Sequence, residues 1–300
     1  MIEKTRINIV LTNTHDILDC INVMEDPTTL NELSARKQII ARHFAKANDY
    51  DQHSHIQQHI CQQLLTRIAH QSQDSVLEVG AGTGHMTQLL ATNLQSNRWI
   101  INELCAQQAT NLQSILPTAQ LRIGDAETMD LDANHSLIVS ANAIQWFDEP
   151  LRFISQSSAR LQAGGQLLLS TFTPDNFLQI KALTGQGLAY PSVAAWRSAL
   201  ADAKFKNIQL STQRFDIPFA QPYDVLKHMK LTGVSTNQTH NQAQGHSAAD
   251  KQNTAPFVWT KARLQQFEQA YWQQFSGQDE SGQPCVYLTY EVLVIDAYRS

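Results

Sequence analysis

Three glycines at alternate positions, Gly80, Gly82 and Gly84, interrupt the run VLEVGAGTGHM of residues 76–86, where an apolar stretch gives way to a helical pattern. Lacking a Cβ, glycine at a strand-to-helix junction lets the backbone come close to a ligand, and the helix start can bind polar groups. One acid, Glu78, precedes the turn; a second, Glu103, closes the run RWIINE, and a third, Asp125, closes AQLRIGD. A carboxylate only accepts hydrogen bonds, so Glu103 suits a ribose diol that offers two donors. The glycine spacing is G-x-G-x-G followed by His85, whereas dinucleotide sites use G-x-G-x-x-G. Taken alone the turn is compatible with NAD, FAD or S-adenosylmethionine.

Such residues work only if strand ends bring them together. From Ser75 to Thr171 short apolar runs (SVLEVG, RWIINE, AQLRIGD, HSLIVSA, GQLLLST) alternate with longer segments, two of them, 85–94 and 106–116, free of glycine and proline. This predicts βαβ units around a mostly parallel sheet, strands buried on both faces. Beyond Phe172 come a helix-like WRSALADAKF, a strand-like NIQLSTQRFDI, the segment YDVLKHMKLTGV, a helix over TKARLQQFEQAYWQQF and a terminal strand, CVYLTYEVLVIDAY. Residues 235–255, rich in Asn, Gln, Ser and Thr, bury too little surface to offset ordering and read as a mobile loop. Residues 1–34 form an unassigned extension. Residues 35–70 read as a helical cap, 75–175 as the cofactor-binding core, 176–285 as acceptor-side helices and 286–298 as the last strand.

The 300-residue chain carries a formal charge of −5, which excludes a global basic field for nucleic acid or an anionic membrane. Four dispersed cysteines, Cys20, Cys61, Cys105 and Cys285, without a C-x-x-C pair predict reduced thiols and no zinc site. His55 and His59 stand at helical i, i+4 spacing but no carboxylate or cysteine completes a ligand set, so no metal is expected. No stretch reaches the roughly 20 apolar residues of a membrane span, and a cytoplasmic protein is expected.

The glycine motif with Glu78, Glu103 and Asp125 resembles the first three cofactor motifs of the class I S-adenosylmethionine-dependent methyltransferases, with their seven-stranded Rossmann-like sheet. The resemblance implies cofactor contacts at Glu78, Gly80, Gly82, Gly84, Glu103, Leu104, Asp125, Ala126 and Asn142, with Asp125 accepting from the exocyclic amine of adenine. Further along, SANAIQWFDEP, LQAGGQLLLSTFTPDNFLQI, LKHMKLTGVST and LTYEVLVIDAY resemble the malonyl-acyl carrier protein O-methyltransferases of biotin synthesis, from about Lys37 almost to the end of the chain. In that family an Asn follows the serine directly; here Ala141 intervenes before Asn142.

The resemblance implies transfer of a methyl group to the free carboxylate of a malonyl thioester, on acyl carrier protein or coenzyme A. An acceptor that is already anionic needs no general base, consistent with the missing N/D-P-P-Y/F tetrad after the fourth strand. Tyr50, Gln145, Trp146, Lys230 and Arg214 are the candidates for holding it. Between residues 176 and 230, seven basic residues face three aspartates, a net +4 that predicts a docking patch for an acidic carrier protein. Two alternatives stand beside this reading: another small-molecule methyltransferase, acting on trans-aconitate or a quinone precursor, and a catalytically silent cofactor-binding partner.

Overall fold

The computed structural model describes residues 33–45, 54–232 and 259–300. Tyr50 and the 235–255 loop, like most of the N-terminal extension, lie outside these residues.

Two helices, α1 (Ala35–Ala45) and α2 (His55–Arg67), precede the sheet. Then come β1 (Ser72–Val79), α3 (His85–Asn93), β2 (Gln95–Glu103), α4 (Ala109–Ile115) behind a short 3₁₀ turn, β3 (Gln120–Ile123) and β4 (His135–Ser140). A second 3₁₀ turn at Ile144–Trp146 leads to α5 (Arg152–Arg160), β5 (Leu161–Phe172), α6 (Leu178–Thr184), α7 (Val193–Asp202) and β6 (Phe205–Phe219). The chain continues through α8 (Pro222–Leu231), α9 (Lys261–Phe275), β7 (Ser276–Gln278) and β8 (Pro284–Arg299). Helix starts obey local chemistry: Ser192 and Thr260 accept from the N–H groups of Ala195 and Arg263, and Pro222 occupies the first turn of α8.

The strands form one sheet in the order β3-β2-β1-β4-β5-β8-β6, with β7 beside β8. β1 to β5 pair in parallel, and β8 runs antiparallel between β5 and β6. After β1 the chain moves out to β2 and β3, then returns to β4 on the other side of β1. In doubly wound sheets, ligands bind at such a switch point, outside the carboxyl ends of the strands.

The two faces of the sheet carry separate cores. Val76, Ile101, Leu137, Val139 and Leu168 face α2, α3 and α9, while Leu77, Val79, Ile100, Ile138 and Leu167 face α5 and α7. This alternation results from the pleat, whose side chains point to opposite faces at successive residues. Most expected elements are present, and strands begin up to four residues earlier than their apolar runs. The sequence reading lacked α5 and α6; α5 is mostly polar and buries only Phe153, Ile154 and Ser157. β6 and β8 extend the same sheet as the core.

Candidate functional site

A cavity opens at the carboxyl ends of β1, β2, β3 and β4, its wall formed by Gly80, Gly82, Glu103, Asp125, Asn142 and Trp146 together with α1 and α2. The three glycines have different jobs. A Cβ on Gly80 would lie 2.4 Å from the Cβ of Ala143, so this glycine lets β1 pass the β4 turn closely. Gly82, at φ +58°, has nothing within 4 Å of where its Cβ would sit, leaving a cradle on the cavity wall that any side chain would fill. Gly84 does not line the cavity; its missing Cβ makes room for Ile115 and Leu112 of α4.

The acids also separate. Glu103 Oε2 accepts from the Gly82 N–H at 2.7 Å and Oε1 from the Cys105 N–H at 2.8 Å, which fixes the carboxylate at the cavity edge beside Leu104. Burial pushes its pKa up, and the backbone N–H groups of Cys105 and Gly82 pull it back. Asp125 Oδ1 accepts from the Glu127 N–H at 3.0 Å, and Ala126 lies next to it on the wall.

Glu78 is displaced from its expected role. Strand parity aims it to the face shared by Val76 and α3, where it is 2% exposed and accepts from Thr87 Oγ1 at 2.8 Å. Burial raises it to about 7, offset in part by Thr87 and reinforced by Glu103. It supports the turn from behind and does not line the cavity.

At the other end of the cavity the polar atoms are unsatisfied. Asn142 has a left-handed backbone, φ 54°, one of the few conformations in which a non-glycine residue, Asn above all, is tolerated. Its Nδ2 donates to the Gln57 carbonyl at 3.3 Å, and Gln145 Nε2 donates to the Asn142 carbonyl at 2.5 Å. Yet Gln57 Oε1, Asn142 Oδ1, Gln145 Oε1 and His85 Nε2 are buried with no hydrogen-bond partner among the described residues. Trp146 lines the cavity, whereas Gln145 does not. Nearby, burial keeps the Tyr290 hydroxyl well above the ordinary phenol range, while Thr232 and Gln57 pull it back, and it lies 2.7 Å from His228 Nε2.

Lys230 and Arg214 are not brought to the cavity. Lys230 is exposed on α8, and Arg214 on β6 is held by Asp216 at 3.0 Å. The basic stretch also divides: β6 places Lys206 opposite Tyr298, at the end where β5 begins, whereas the cavity end is marked by Gln213 opposite Val292. Seven strand residues, roughly 23 Å, separate these positions. Lys227 and Lys230 remain on α8, which comes after β6 at its far, cavity-side end.

Several wall residues escaped sequence reasoning: Lys37 and Ile40 from α1, Ser54 at the N-cap of α2, and Gln57 and Cys61 within it. The cap therefore does more than cover the sheet. Their spacing within each helix, i, i+3 and i+3, i+7, was the only available signal, and it is equally that of any buried helix face. His55 and His59 are on the outer side of α2, and among the described residues no three His, Cys, Asp or Glu side chains cluster as a metal site. Cys61, Cys105 and Cys285 are buried free thiols, with burial pushing Cys61 up to about 12. Among the described residues no helix is long and apolar enough to cross a membrane.

A doubly wound sheet with a glycine cradle and two strand-end acids around its switch point defines the class I methyltransferase architecture. The donor set fits S-adenosylmethionine: an open cradle at Gly82, a fixed acceptor for a diol at Glu103 and a second acceptor at Asp125. The description "Methyltransferase domain" matches residues 53–210, just over half of the chain. The fold resembles that of the YcgJ protein of Bacillus subtilis (TM-score 0.54, 15% identity, 80% of this chain and 98% of that one). A candidate methyltransferase of Bacillus halodurans is equally similar (TM-score 0.54, 16% identity, with 80% and 98% covered). Among curated proteins the chain is 34% identical to the malonyl-[acyl-carrier protein] O-methyltransferase of Porphyromonas gingivalis, covering 85% of this chain and 93% of that one. The Haemophilus influenzae protein of the same name is 36% identical over 68% of this chain and 81% of its own length. The chain belongs to the S-adenosylmethionine-dependent methyltransferases, within the malonyl-[acyl-carrier protein] O-methyltransferase family.

Proposed function

We propose that this protein transfers a methyl group from S-adenosylmethionine to the free carboxylate of a malonyl thioester on acyl carrier protein, giving the methyl ester and S-adenosylhomocysteine, as an early step of biotin synthesis in the cytoplasm. The observation that carries the reading is similarity to the Porphyromonas gingivalis enzyme over 85% of the chain, a span that extends past the cofactor half into the acceptor side. When bound, the cofactor supplies a methyl group activated by a sulfonium. The protein's own work is then alignment and exclusion of water.

In this reading Glu103 accepts from the ribose hydroxyls and Asp125 from the adenine amine, with Leu104 and Ala126 against the base. The turn from Gly80 to Gly82 admits the methionine end. Asn142, Gln57 and Gln145 keep amide oxygens unpaired beyond that end, acceptors for the N–H or O–H donors of a bound ligand, and Trp146 closes the wall. A carboxylate buried without partners would be costly, so it needs N–H or O–H donors, and the Tyr290–His228 pair, 2.7 Å apart, is offered for this in place of the cation expected of Lys230 or Arg214. Esterification removes a charge that apolar pockets for fatty acyl chains would reject. An acidic carrier protein is expected to dock near Lys227 and Lys230, with Lys204 and Lys206, before and at the start of β6, too far from the cavity end to help.

The test is incubation with S-adenosylmethionine and malonyl-acyl carrier protein, with mass spectrometry to detect the gain of one methylene unit on the malonyl group. No gain with the malonyl thioester would refute the assignment. A gain on trans-aconitate or a quinone precursor instead would favour another small-molecule methyltransferase, and none on any acceptor would favour a silent binding protein. In thermal shift, S-adenosylhomocysteine should stabilise the protein and NAD should not.

A further inference from the structure

The buried cation at the cavity wall, Lys37, comes from outside the glycine turn and the two strand-end acid motifs. Lys37, in the first turn of α1, is 4% exposed, and its ammonium contacts Asp125 Oδ2 at 2.5 Å and Glu127 Oε2 in a second, very short contact. It also lies 5.6 Å from the centre of the Phe147 ring, itself on the cavity wall. Glu127 in turn accepts from the N–H groups of Asp148 at 2.8 Å and Glu149 at 2.7 Å. Arg36 adds bonds to the carbonyls of Trp146 and Phe147, both at 3.0 Å, and to Asp148 Oδ1 at 2.7 Å. One turn of α1 thus stitches together the ends of β3 and β4.

These contacts converge on one side of the cavity. Ile40 joins Lys37 on the wall, and the Ala41 carbonyl accepts from Cys105 Sγ at 3.3 Å, just after Glu103. Helix α1 therefore touches the segments immediately after β2, β3 and β4, and the first two of these strands carry the acids assigned to the adenosine. Asp125 has one oxygen on the Glu127 N–H and the other on Lys37, so its side chain has no freedom left to turn away from the cavity. Each oxygen still has a lone pair for a ligand donor.

We propose that Lys37 is a positioning residue for the cofactor: by pinning Asp125 and Glu127 from α1, it makes docking of α1 and binding of the adenosine a single linked equilibrium. The inference rests on the cofactor reading of the cavity. Linkage is reciprocal, so a ligand that bonds the pinned Asp125 must also hold α1 down. The remaining acids near the lysine, Asp148 and Glu149, are occupied by Arg36 and Arg152, which leaves Lys37 as the cation that joins α1 to the ligand's own acceptor.

Hydrogen exchange on the full-length protein, with S-adenosylhomocysteine as probe, tests this. In the wild type the ligand should slow exchange in residues 35–45 as well as in the 80–84 turn. In Lys37→Met, affinity should fall about 10-fold and saturating ligand should protect 80–84 but no longer 35–45, whereas Lys37→Arg should retain most of the coupling. The same Lys37→Met variant should raise KM for S-adenosylmethionine and leave kcat within about 2-fold. Wild-type affinity with full ligand-induced protection of 35–45 in Lys37→Met would overturn the proposal, as would a loss confined to kcat. Should Lys37→Met not fold, Glu127→Gln, which removes one anchor of the lysine, should also lower the ligand-induced protection of 35–45; unchanged protection would overturn it. Absence of any protection at 80–84 in the wild type would instead refute the cofactor reading, and the coupling with it.

Discussion

The two ends of the cavity are built on opposite principles. At the end proposed for the adenosine both acids are already satisfied: Glu103 by two backbone N–H groups, Asp125 by Lys37 and the Glu127 N–H. At the transfer end, Gln57, Asn142, Gln145 and His85 each keep a buried polar atom without a partner among the described residues. Buried unpaired polar groups cost about 1–3 kcal/mol each, and are tolerated where a ligand or water satisfies them. The first end recognises through a preset frame; the second keeps unpaired acceptor atoms for the donors of a ligand that comes and goes.

Filling the cradle should break the first end most severely. Gly82→Leu places a side chain in the open space at φ +58°, and binding of S-adenosylhomocysteine by calorimetry is expected to disappear, with about 1–3 kcal/mol of stability lost to backbone strain. Retained binding would mean that the cradle is not the ligand's seat. Glu103→Gln should cost roughly 10- to 100-fold in affinity, since it removes a charged acceptor. Because burial raises Glu103 while hydroxyl donors favour its ionised form, affinity should also weaken as pH falls through that raised pKa. A flat pH profile would remove Glu103 from the contact.

The transfer end should answer differently. Asn142→Ala and Gln57→Ala are expected to lower kcat with the malonyl thioester by about 5-fold, corresponding to about 1 kcal/mol, and to change affinity for S-adenosylhomocysteine less. Equal losses in both would erase the distinction between the ends. The mildest change is Glu78→Gln. Glu78 titrates near pH 7 folded but near 4.5 in its ordinary state. Its contribution is therefore complete below about pH 4.5 and is lost as pH rises to about 7, by an amount of order 3 kcal/mol. The variant should flatten that stretch of the stability profile in urea denaturation and leave ligand affinity within about 2-fold.

Legibility tracked the distance along the chain over which each interaction acts. That Gly80, Gly82, Glu103 and Asp125 meet at one cavity could be read because strand-end position is a local property of short apolar runs next to a turn. Glu78 shares a face with Ile101 and Glu103 but lies before the end of β1, where Thr87 takes up its carboxylate short of the cavity. Gly84 looked like part of a ligand turn but makes room for α4, a contact between residues 28 and 31 apart. Lys230 and Arg214 were plausible cations for a carboxylate, and neither reaches the cavity.

A doubly wound sheet, its glycine turn and two acids of the cavity wall are written in the chain itself, because apolar periodicity and glycine act within a few residues. Which side chains close the cavity was settled by packing alone. Lys37 meets Asp125 across 88 residues, and Asn142 meets Gln57 across 85. Such pairs are selected by laying two helices onto four strand ends, and no local pattern along the chain encodes them.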